Sequence, residues 1–89
     1  MTSQPAFSKS GKDPRPHPLS TMKAGSWLKI HTIPKGVLRA QFIRFGIHEG
    51  ERVQCIERLP GGTVVLQKHR QQIAIGHLLA RQILVSILD

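Results

Sequence analysis

Cysteine occurs once in this 89-residue chain, at Cys55, tyrosine not at all, and carboxylate side chains only five times. A single cysteine supplies neither an intrachain disulfide framework nor a CxxC pair. Cys55 falls in a strand-prone stretch and reads as a small buried apolar group. The acids outside the N-terminal segment are Glu49, Glu51, Glu57 and Asp89. They form no paired-carboxylate or nucleophile–base arrangement, so no catalytic residues are expected. A GxxxxGK[ST] phosphate loop is missing too, so nucleotide binding by that route is not expected. Apolar runs such as Ile83-Leu84-Val85 fall far short of the roughly 20 residues that span a bilayer. No charged-then-apolar leader opens the chain, so secretion is not expected. These absences lead us to expect a cytoplasmic, non-catalytic protein with no cofactor and no small-molecule substrate.

Basic residues are plentiful. Lys and Arg number 13 against the 5 acids, giving a formal charge of +8. A surplus of this kind in so small a chain favours acidic partners. The first twenty residues differ from the rest, holding Pro5, Pro14, Pro16 and Pro18 among Ser, Lys and Gly, with Phe7 and Leu19 as the large apolar groups. A segment this poor in apolar surface cannot offset its ordering entropy. Residues 1–20 are therefore expected to form a disordered, Pro-rich basic tail, and residues 21–89 a single folded domain.

Within that domain, Leu28 and Ile30 alternate with Lys29 and His31, the period-two pattern of a half-buried strand. After Pro34-Lys35-Gly36 the period changes. Leu38, Phe42 and Phe45 fall at i, i+4 and i+7, the spacing of one helical face, and Gly46 suits the left-handed residue that ends a helix. Gly50 permits a second turn before the strand around Val53 and Cys55. Leu59-Pro60-Gly61-Gly62 signals a hairpin, followed by the β-branched run from Thr63 to Lys68. A polar turn at His69-Arg70 leads into Gln72–Ile75. His77–Gln82 reads as one helical turn, and Ile83, Val85 and Ile87 line the last strand. About five short strands, one helix after the first and a helical turn before the last describe a small, partly open β-barrel.

This order resembles the FeoA family, small cytoplasmic partners of the bacterial ferrous-iron transporter FeoB. The matching features are Gly25 before the first strand, Phe42-x-x-Phe45-Gly46-Ile47-x-x-Gly50, Gly61-Gly62 and the closing Ala80-x-x-Ile83-x-Val85. The turn at Lys68–Gln71 departs from the family, which often has glycine there. The resemblance implies an all-β, SH3-like barrel that supports Fe(II) uptake without catalysis, by binding the cytoplasmic region of FeoB, and so lies peripheral to the inner membrane through that partner.

Several residue sets invite sharper readings. His31, His48, His69 and His77 share no ligand spacing with one another or with Cys55, so no metal site is expected. Arg39, Arg44, His48 and Glu49 around the helix, with Lys68, His69 and Arg70 at the basic turn, form the expected docking face. The plainer reading of these charges is a solvated surface. The rival function is an RNA-binding module, which the aromatic content of 4% disfavours. Trp27 is the aromatic placed to meet a base. Short unpaired sheet edges also leave weak self-association open.

Overall fold

The computed structural model describes residues 13–88, and from Trp27 onward the fold follows the order expected from the sequence. Strands β1 (Asp13–Pro18), β2 (Trp27–Thr32), β3 (Arg52–Arg58), β4 (Val64–Lys68), β5 (Gln71–Ile75) and β6 (Leu84–Ile87) form one antiparallel sheet. Helix α1 (Val37–Arg44) follows β2, and the single-turn helix α2 (His77–Ala80) precedes β6. Their order across the sheet is β1-β6-β2-β3-β4-β5. The sheet curls around one core but does not close, and β1 and β5 are left as edges. This is the partly open barrel that the strand pattern predicts, with six strands in place of about five, and it is consistent with the SH3-like fold that the family resemblance implies.

Alternation sets the inner face. Leu28 and Ile30 of β2, Val53 and Cys55 of β3, Val64 and Leu66 of β4, Ile73 and Ile75 of β5, and Val85 of β6 are all buried in one cluster. Ala80 and Ile83 close it from the α2 side. Among the described residues, no helix is long and apolar enough to cross a membrane.

The end of α1 explains the Phe42–Gly50 motif. Gly46 has φ 76°, the left-handed conformation that glycine adopts without a Cβ clash. Its N–H donates to the Ile43 carbonyl at 2.9 Å, and the Ile47 N–H reaches back to the Phe42 carbonyl at 2.9 Å. Those two bonds define a Schellman motif, and its usual hydrophobic clasp is present because Phe42 and Ile47 are both buried. Gly50, at φ 95°, returns the chain to the sheet, and its N–H donates to the Ile30 carbonyl at 2.7 Å.

Two expectations are corrected. The domain does not begin at residue 21. Asp13–Pro18 is an edge strand paired with β6, in which Asp13 lies opposite Ile87 and His17 opposite Val85. Pro14, Pro16 and Pro18 occupy alternate positions, so their missing donors fall on the outer edge, where a strand has no ladder to break. Leu19 follows, fully buried, with its N–H donating to the Ile83 carbonyl at 2.8 Å. Burying one leucine stabilises by about 1.5–3 kcal/mol, and Met22 is buried beside it in the same cluster. Composition alone overlooked a partner strand that satisfies this backbone. The rest of the expected tail, residues 1–12, lies outside the described residues.

The second correction concerns the helical face of Leu38, Phe42 and Phe45. Phe42 is buried, but Phe45 is 43% exposed. The helix ends at Arg44, and Phe45 is its cap, with ψ near 2°. The period of 3.6 therefore no longer governs where Phe45 points. The Leu38 side chain lies outside the described residues.

Candidate interaction surface

Seven polar residues were expected to share a docking face, and their actual geometry divides them. Arg39 and Glu49 form a staple that closes the loop after β2. Arg39 Nη2 donates to Glu49 Oε2 at 2.8 Å and to the Ile33 carbonyl at 3.0 Å, while the Ile33 N–H donates to the same carboxylate oxygen at 3.0 Å. Both polar groups of an otherwise buried Ile33 are thereby satisfied. The Ile33 N–H and then the Arg39 charge hold the Glu49 carboxyl below its ordinary range, against a desolvation that acts the other way.

Lys68 makes a second internal link, from β4 to the loop after α1. Its Nζ donates to the Gly46 carbonyl and lies 3.2 Å from Glu51 Oε1, and the side chain is 14% exposed. Glu51 Oε2 in turn meets His48 Nδ1 at 3.1 Å. Arg39, Glu49 and Lys68 thus hold the loops in place. Arg44, His69 and Arg70 remain on the surface, exposed. His69 has φ 56° at the first central position of the two-residue hairpin loop.

Ile43 (57% exposed), Phe45 and Leu79 (40%) are exposed apolar side chains that helical periodicity did not predict. Phe45 and Leu79 border a groove of about 220 Å³ between α1, α2 and β5, with Gln41, Gln72 and Ala74 on its walls. Its lining contains no charged side chain. Along it, β5 is an edge strand, and among the described residues no backbone hydrogen bond reaches β5 from any element but β4. The groove therefore offers unpaired amide groups beside an apolar slot, the chemistry that accepts an extended segment. The exposed Ile43 and Leu79 carry no sequence signal that separates them from core residues.

The histidines stay apart. Among the described residues, no three His, Cys, Asp or Glu side chains come together in a metal-binding group. Burial raises the Cys55 thiol above its ordinary range, partly opposed by the Glu57 carbonyl and the Arg58 charge.

Comparison with known proteins gives a consistent result. A FeoA domain model matches residues 17–87. A crystal structure described as the iron uptake regulatory protein FeoA is 28% identical, covers 83% of this chain and 100% of its own, and superposes with a TM-score of 0.70. The NMR structure of a FeoA-like protein from Clostridium acetobutylicum is 22% identical, with coverages of 83% and 88%, and also gives a TM-score of 0.70. No curated protein matches the chain.

Proposed function

The chain belongs to the FeoA family, whose members are small accessory proteins of ferrous-iron uptake, and from that premise we propose that it acts without catalysis by docking onto the cytoplasmic region of FeoB. The observation that supports this reading is the uncharged groove between α1 and β5. It lies beside an unpaired strand edge and is bordered by the exposed Phe45 and Leu79. An extended segment of the partner adds to β5 through backbone hydrogen bonds and seats an apolar side chain in the slot. Arg44 at the end of α1 and Arg70 in the turn before β5 supply the charges that steer an acidic segment to this face. Arg39 and Lys68 are engaged inside the fold and keep the loops in register. The protein works in the cytoplasm, held near the membrane by its partner.

The test is equilibrium binding of the full chain to the purified cytoplasmic region of FeoB from the same genome. Replacing Arg44 and Arg70 together with Glu weakens binding at least about tenfold, chiefly through association rate, and leaves the thermal melt unchanged. Replacing Phe45 with Ser weakens it through dissociation. Parental affinity in both variants refutes the assignment of this face, and parental protein that does not bind refutes the partner.

A further inference from the structure

A second groove, of about 370 Å³, crosses the outer face of β2, β3 and β4, and it is lined by Trp27, Arg52, Gln54, Gln67, Lys68 and His69. Strand register accounts for its composition. Trp27 stands opposite Gln54, and Gln54 opposite Gln67. At about 4.8 Å between strands, one indole and two carboxamides form a continuous row. The indole is 49% exposed.

Along the next row, Lys29 lies directly opposite Arg52, and both side chains are exposed. Neither has a side-chain hydrogen bond or ion-pair partner among the described residues. Like charges placed directly across a strand pair repel, and among the described residues no acid pairs with either. Strands β2, β4, β5 and β6 contain no acidic residue. In β3 the one acid, Glu57, comes after the bulge between Cys55 and Glu57. Glu51 is taken up by Lys68 and His48. An anion bound between Lys29 and Arg52 reverses the sign of this local electrostatic energy.

We propose that the groove is a binding site for a free nucleotide. The base stacks on Trp27, and the Gln54 and Gln67 amides, each both donor and acceptor, meet its polar edge. Arg52 on the groove wall holds the phosphates, its guanidinium suited to bidentate contact. Lys29, opposite it in register but outside the groove lining, adds positive charge beside it. A single aromatic group provides for a single base, and the groove volume lies in the range of small-molecule sites. These considerations favour a mononucleotide over a strand, which needs a series of stacking platforms. This assignment is independent of the ferrous-iron reading.

Trp27 is the single tryptophan, so its fluorescence reports the site. The full chain is titrated separately with ADP, GDP, adenosine, inorganic pyrophosphate and a ten-residue oligoadenylate. A diphosphate nucleotide quenches Trp27 saturably, and adenosine and pyrophosphate each bind at least about tenfold more weakly, because each lacks one half of the recognition. Arg52→Glu abolishes the quenching with an unchanged melt, and raising salt weakens nucleotide binding in the parent. Trp27→Phe, followed by dialysis against labelled ADP, retains part of the affinity, whereas Trp27→Ala loses about tenfold or more. Pyrophosphate binding as well as ADP overturns the proposal in favour of a simple cation patch. Oligoadenylate binding without nucleotide binding overturns it in favour of a strand. Absence of quenching by either diphosphate overturns it outright.

Discussion

Lys68 is where sequence and structure suggest opposite roles, and Lys68→Met distinguishes them. Methionine keeps the apolar stem and removes the ammonium. The Gly46 carbonyl then loses its donor and Glu51 one of its partners. A hydrogen bond from a charged donor contributes about 1.5–3 kcal/mol, and a partly exposed ion pair adds at most about 1 kcal/mol. With the residue 14% exposed, a loss of about 2 kcal/mol is expected. In a domain of 60–100 residues each kcal/mol shifts the midpoint by about 4–8 °C, so the melt falls by roughly 10 °C. Far-UV circular dichroism measures it, with Arg70→Met as the exposed control, which stays within about 2 °C because surface changes are nearly neutral. A Lys68→Met melt as close to the parent as that of the control refutes the reasoning. Lys68 is then a free surface cation, as charge counting alone suggested.

Gly46→Ala places a side chain at φ 76° and costs about 1–2 kcal/mol, whereas Gly46→Asn costs less because asparagine tolerates the left-handed region; urea midpoints order the three proteins. The Cβ of Gly62→Ala meets His77 Nδ1 at 2.7 Å at a position with φ 95°, so Gly62→Ala destabilises, and His77→Ala recovers the steric part but not the backbone part in a double-mutant cycle. Glu49 has a lowered pKa in the folded state. Its contribution to stability is therefore complete above the unfolded glutamate range, near pH 4.3, and is lost as pH falls through the lower folded value; Glu49→Gln flattens that part of the pH–melt profile. Cys55 reacts with thiol reagents at the rate of global opening, since it is buried and its thiol is shifted upward; hydrogen exchange at the Cys55 amide gives the matching rate.

The sequence makes the barrel legible because its strands alternate cleanly and its corners need left-handed residues. Leu28 and Ile30, Val53 and Cys55, and Ile83 and Val85 all face inward as their period requires. Gly25, Gly46, Gly50, Gly61 and Gly62 have positive φ at the expected turns. Non-local information was the part not legible. The β1 segment is proline-rich by composition and becomes a strand because β6 supplies its pairing. Phe45 has the spacing of a core residue, and a helix that stops one position earlier turns it outward. Within the docking face, charge identifies candidates but not commitments. Arg39 and Lys68 resemble Arg44 and Arg70 in sequence, and only the positions of Ile33, Glu49, Gly46 and Glu51 determine which cations are engaged.

That division of the basic residues also decides which substitutions are informative. Lys68 and His69 belong to the turn beside the proposed partner face, and both also line the Trp27 groove. A change at either can alter nucleotide binding, partner binding and, for Lys68, stability together, so loss of any one is ambiguous. Arg52 and Trp27 line that groove but not the one at α1 and β5, while Phe45 and Leu79 show the reverse pattern. The two sites are separable if Arg52→Glu abolishes nucleotide quenching while FeoB binding persists, and Phe45→Ser does the opposite. A nucleotide that weakens FeoB binding in the parent but not in Arg52→Glu shows instead that the two ligands meet across the His69 turn. Nucleotide would then regulate docking through the turn at His69, which lines the Trp27 groove and leads into β5.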